Sequence, residues 1–82
     1  MVIHMEQIDP PTDPLARVVD QARRERGLSW RGLAEEAAIP KTTLNRFARG
    51  GRDLTVTELN RIAAVFGTTT SALMAQSEDV AA

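Results

Sequence analysis

Four polar side chains in the middle of the chain, Lys41, Thr42, Asn45 and Arg46, recur at helical spacing. A helix advances about 3.6 residues per turn, so positions one, four and five apart share its outer face. The four offer an ammonium, a hydroxyl with a methyl beside it, a carboxamide and a guanidinium. That set is the chemistry that hydrogen-bonds base edges in the major groove of DNA. A helix that commits its exposed face to such groups is built to read something, and base edges are the text they suit.

The elements that must position these groups are legible in the apolar residues around them. Leu33, Ala34 and Ala37 form one short helical stripe, Leu44 and Phe47 a second, and Ile39 stands between them. Ala34 falls where two helices must approach closely, which a small side chain permits. Ala38-Ile39-Pro40 leaves a turn of about three or four residues, as two steeply crossed helices require. Ser29 caps the first of them, over about 30–37. The second starts near Pro40 or Lys41 and ends around Arg49, with Gly50-Gly51 as its stop.

Three further helices complete the reading. Asp13-Pro14 opens one that runs to about Arg26, with Leu15, Val18, Val19 and Ala22 on one face and Gly27 as its left-handed cap. Thr55 with Glu58 three residues on forms a capping box, and Leu54 and Leu59 stand at the staple positions. The helix that follows turns Leu59, Ile62, Ala63 and Phe66 inward and closes at Gly67. A short last helix opens within Thr68-Thr69-Thr70 and presents Leu73 and Met74. Residues 1–12 read as a flexible N-terminal arm, 13–75 as the folded domain and 76–82 as a frayed C-terminal tail. Nothing reads as a strand. The fold class is all-α, a compact five-helix domain.

Composition limits the function classes. With 82 residues the chain is one small domain, burying only about 60–65% of its unfolded surface. It contains no cysteine, so it has neither a disulfide framework nor a thiolate metal site, which fits a reducing cytoplasm. No apolar run approaches the roughly 18–20 residues that span a bilayer, and the N-terminus lacks a signal-peptide pattern. A catalytic constellation is missing as well: the lone histidine, His4, lies in the arm, and Glu35 and Glu36 are adjacent on a helix and point apart. No enzyme, metal or cofactor is expected.

The net charge of −1 conceals a segregation. Arg17, Arg23, Arg24, Arg26, Arg31, Lys41, Arg46, Arg49 and Arg52 all lie between positions 17 and 52, where they face only Asp20, Glu25, Glu35 and Glu36, a local net charge of +5. The remaining acids precede or follow that span. Local field, rather than total charge, steers association with phosphates.

With Arg26-Gly27-Leu28-Ser29, Leu33-Ala34, Ile39, Leu44, Arg49-Gly50, Leu59, Ile62-Ala63 and Phe66-Gly67 in place, the chain resembles the phage-repressor and Cro-like, or Xre-type, helix-turn-helix family over about residues 14–75. The resemblance implies a lambda-repressor-like fold in which the helix that starts near Pro40 or Lys41 (helix 3 in chain order) enters the major groove and the one over about 30–37 (helix 2) lies across the backbone. Carried onto this chain, it makes Lys41, Thr42, Asn45 and Arg46 the base readers. Arg and Lys reach guanine O6 and N7, Asn pairs with adenine N6 and N7, and the Thr methyl meets a thymine methyl. It places phosphate contacts at Trp30, Arg31, Thr43, Arg49 and Arg52.

Three positions depart from the family pattern. Trp30 stands where a phosphate-contacting Gln is usual, and its indole still offers one donor. Ala38 replaces the usual turn glycine, at about 1 kcal/mol if the residue is left-handed. Pro40 replaces a Ser or Thr cap, so that cap bond is lost. The implied function is a DNA-binding transcriptional regulator, a repressor of phage-immunity or Cro-like type, in the cytoplasm of a bacterial or phage-infected cell. Its partner is double-stranded DNA, bound as a homodimer through helix 5 (Leu73, Met74) or as a monomer on an asymmetric site. The alternative is an antitoxin-like module that sequesters another protein, with DNA binding secondary.

Overall fold

The computed structural model describes residues 13–81, and the arm expected over residues 1–12, with His4, lies outside them. Five α-helices follow one another with short connections: α1 (Pro14–Glu25), α2 (Trp30–Ala37), α3 (Lys41–Ala48), α4 (Val56–Val65) and α5 (Thr70–Ala81). Each expected helix start is present. Asp13 Oδ2 accepts from Ala16 N at 3.0 Å with Pro14 in the first turn, and Ser29 Oγ accepts from Gly32 N at 2.9 Å. At α4 the capping box is complete, with Glu58 N donating to Thr55 Oγ1 at 3.1 Å and Thr55 N donating to Glu58 Oε1 at 2.9 Å.

Each helix spends one fully buried large side chain on a common core: Val19, Leu33, Leu44, Ile62 and Leu73. Ala16, Val18, Ala34, Ala37, Ile39, Phe47 and Ala63 fill the space among them. Burying each large aliphatic contributes about 1.5–3 kcal/mol, so in a domain this small no core residue is dispensable. α2 packs on α3 and α4, while α5 lies against α1 and α4. α2 is thereby held by α4, α3 touches α1, and α1 is backed by α5.

Two features differ from the sequence reading. The tail expected to fray from Gln76 is instead helical through Ala81. The segment from Thr70 holds no Gly or Pro, and Ser77 is buried, with its hydroxyl donating to Met74 O at 2.7 Å. Packing of α5 against α1 supplies what intrinsic propensity alone does not. The second difference lies in α1, whose inward edge includes Ala16 and a buried carboxylate, Asp20.

Candidate nucleic-acid interface

The orientation of α3 is set by its inner face. Leu44, Phe47 and Ala48 are all buried, and this leaves Lys41, Thr42 and Arg46 exposed and Asn45 half-exposed on the opposite side. Among the described residues none of those four side chains has a hydrogen-bond or ion-pair partner. Thr43 is half-exposed on the flank of the same helix. The arrangement thus presents a contiguous array of unengaged donors and acceptors on a rigid rod, the chemistry that direct readout of a duplex needs.

Both ends of α3 follow from local sequence. Pro40 makes no side-chain cap, so the missing Ser or Thr bond is a real loss. At the other end Gly51 N donates to Arg46 O at 2.8 Å and Gly50 N to Phe47 O at 3.0 Å, with Gly50 at φ 81. This paired closure needs a left-handed residue, and Gly50 supplies it without a Cβ penalty. The chain leaves the helix at once, carrying exposed Arg49 before the turn and half-buried Arg52 after it.

Arg52 is already engaged. Its Nη1 donates to Glu58 Oε1 at 3.2 Å, the same oxygen that accepts from Thr55 N. The Thr55 backbone donor holds the Glu58 carboxyl below its ordinary value of 4.5, with Arg52 adding to that and partial burial opposing it. The sequence marked Arg52 and Glu58 as separate features; the fold joins them.

The α2 start carries the other expected contacts. Arg31 is exposed and only loosely associated with Glu35 at 3.9 Å, an arrangement worth little between two solvated groups. Trp30 is half-buried and packs on the core. The Arg23 guanidinium lies over its ring, 4.8 Å from the centroid. Arg23 in turn contacts Asp20 at 2.7 Å and donates to Leu28 O at 3.1 Å, and Arg24 reaches Asp20 at 3.3 Å. Sequence reasoning missed this cluster. The i, i+3 and i, i+4 spacing of Asp20, Arg23 and Arg24 was a visible signal, but the burial that makes it consequential was not.

A second contact lay outside the sequence reading. Ala38, at the position of the usual turn glycine, does adopt the left-handed conformation, with φ 57 and ψ 43, and its carbonyl accepts from Arg61 Nη1 at 3.2 Å. An arginine of α4 thus ties down the turn that joins α2 to α3.

The surface proposed for self-association needs correction at Leu73. That side chain is 1% exposed and belongs to the protomer's own core, whereas Met74 beside it is 42% exposed. Only Met74 remains outward on this part of α5. It lines a groove with Leu15, Leu54 and Leu59 whose rim carries Asp13, Asp53 and Glu78.

No helix among the described residues is long and apolar enough to cross a membrane. The helix-turn-helix family HTH_3 matches residues 19–73, most of the chain and all of α2, α3 and α4. No curated protein matches the chain in sequence. Among solved structures, the clp gene regulator ClgR from Corynebacterium glutamicum is similar with a TM-score of 0.74 at 18% identity, over 84% of this chain and 74% of that one. The restriction-modification controller protein C.Esp1396I is similar with a TM-score of 0.73 at 19% identity, over 83% of this chain and 87% of that one. These two likenesses carry the fold. An HTH_3 family transcriptional regulator from Vibrio cholerae is 28% identical with a TM-score of 0.68, over 77% of this chain, which spans 35% of that protein's length.

Proposed function

The chain belongs to the HTH_3 helix-turn-helix family, and from that premise we propose that it is a sequence-specific regulator of transcription that inserts α3 into the major groove of double-stranded DNA. The observation that carries the proposal is the outer face of α3. Lys41, Thr42, Asn45 and Arg46 lie on the side of α3 opposite its buried face, with no partner among the described residues, and carry groups whose chemistry suits base edges. Guanine is the fitting target of Lys41 and Arg46, adenine that of Asn45, and the Thr42 methyl suits a thymine methyl. Trp30, Arg31, Thr43, Arg49 and Arg52 then meet the sugar-phosphate backbone and set the register. Occupying an operator in this way would exclude polymerase, the action of a repressor of phage-immunity or Cro-like type.

Selection from a random pool of DNA duplexes tests the proposal, followed by affinity measurements on the selected site at two salt concentrations. A short consensus should emerge, bound at least about a thousandfold more tightly than random duplex. A pool that returns no preferred sequence would overturn the proposal, whatever the strength of salt-dependent binding. Stoichiometric co-purification with a second protein that blocks DNA binding would favour the sequestering role instead.

A further inference from the structure

We infer that Arg23 is a positioning residue for the DNA contact of Trp30: it clamps the indole so that the ring is buried while its N–H faces outward as a phosphate donor. The inference rests on the reading that the start of α2 faces the DNA backbone.

Arg23 is held from three sides. Nη2 meets Asp20 Oδ1 at 2.7 Å, Nη1 donates to Leu28 O at 3.1 Å, and the guanidinium carbon sits 4.8 Å from the centre of the Trp30 ring. Its side chain is 18% exposed, and Nε is buried without an acceptor. A guanidinium so enclosed, and neutralised by a buried carboxylate, is badly placed to touch a phosphate itself. What it does touch is the first residue of α2.

Trp30 shows the complementary pattern. Its ring packs on the core, yet its indole nitrogen has no acceptor among the described residues. Nor is it among the buried atoms lacking a partner, of which Arg23 Nε is the instance among the described residues. Among the described residues the indole nitrogen is thus neither bonded nor sealed in the core. Trp30 opens the first turn of α2, whose leading backbone N–H groups have no intrahelical acceptor, while Ser29 Oγ is occupied by Gly32 N at 2.9 Å. An anion at this helix start would find the indole donor, free amide donors and the Arg31 side chain together. The ring's orientation decides whether the indole donor points at it. Arg23, whose guanidinium carbon lies over one face of the ring, is what holds that orientation, because a cation fixed on an aromatic face restricts the ring's movement.

Trp30 is the only tryptophan, so its fluorescence anisotropy reports the clamp directly, and duplex affinity reports its use. Wild type, Trp30→Phe, Arg23→Met and the double variant are compared on the selected duplex, at a temperature where circular dichroism shows each folded. Trp30→Phe keeps a ring in place and deletes the donor, and is expected to weaken binding about tenfold. Arg23→Met is expected to lower the anisotropy of the free protein and to weaken binding by about fivefold or more, with the double variant no weaker than the worse single one. Should Arg23→Met fail to fold, Arg23→Lys replaces it: it retains a cation but lacks the fork that spans Asp20 and Leu28 O.

Losses that simply add would show that Arg23 acts independently of the ring and would overturn the inference. So would an unchanged affinity with Trp30→Phe, or an unchanged anisotropy with Arg23→Met; in those cases the DNA-binding reading still stands. Failure of the wild type to bind any selected duplex brings down both, and that result is distinguishable because the anisotropy comparison needs no DNA.

Discussion

Arg46 and Asn45 are where the proposed readout makes its sharpest demand, since each can pair with a base edge through two hydrogen bonds. Arg46→Ala or Asn45→Ala should cost about 1–3 kcal/mol on the selected site and relax preference at one base position. Electrophoretic or fluorescence titration of matched and single-mismatch duplexes checks this, and equal losses on matched and random DNA would remove both residues from the list of readers. Glu58 makes a separate demand on stability. Its carboxyl titrates below 4.5 in the folded chain because Thr55 N, and then Arg52, favour the charged form. A lowered value means that the stabilisation is fully present above the unfolded value and is lost as pH falls through the folded one. The melting-temperature gap between wild type and Glu58→Gln should therefore be open at pH 7 and close as pH is taken below the ordinary glutamate value of 4.5 and through the lowered one. A gap independent of pH would show that the carboxylate's charge contributes nothing.

At the scale of the element, the stop of α2 is the unusual one. α1, α3 and α4 end on Gly27, Gly50 and Gly67 at positive φ, each with the same pair of closing backbone bonds. α2 ends the same way, with Ile39 N donating to Ala34 O at 3.0 Å and Ala38 N to Glu35 O at 3.3 Å, but the left-handed residue is alanine. Ala38→Gly should accordingly raise stability by about 1 kcal/mol, seen as a higher midpoint in urea without a change in slope. Arg61, which donates to the Ala38 carbonyl, provides the counter-test: Arg61→Ala should destabilise wild type by about 0.5–1.5 kcal/mol through loss of that bond. The capping signals at Asp13, Ser29 and Thr55 were legible because a cap is a local contest for first-turn N–H groups, decided within four residues. The extent of α5 was not, because that helix packs on α1, more than fifty residues earlier in the chain.

Across the whole molecule, the two proposed modes of association should respond to salt with opposite sign. DNA binding releases counterions, so log affinity falls with log salt by about 0.9 for each phosphate neutralised, and Arg49→Ala should reduce that slope by about one. Arg52→Ala should reduce it too, but with a loss of stability, because Glu58 then loses an ion-pair partner. Self-association over the Met74 groove differs, since a two-fold axis there would bring Asp13, Asp53 and Glu78 towards their own copies, with no basic residue lining the groove. The free chain should sediment as a monomer at low salt, with any dimer strengthening as salt rises. A dimer that dissociates with salt would place the contact elsewhere.

Local rules in the sequence determined the number of helices, their starts, the left-handed stops and the polar face of α3, because each depends on residues within about one or two helical turns. They also determined the concentration of positive charge between positions 17 and 52. Tertiary structure alone decided which of those charges are withdrawn from solvent. Within that span Arg23 and Arg24 turn to Asp20 and Arg52 to Glu58, and beyond it Arg61 turns to the Ala38 carbonyl, while Lys41 and Arg46 remain unengaged among the described residues. It likewise moved Leu73 from the expected outer surface into the core. The physical reason is common to all of these. Spacing along a helix says which side chains share a face, but whether that face meets a neighbouring helix or water depends on contacts between segments far apart in the chain.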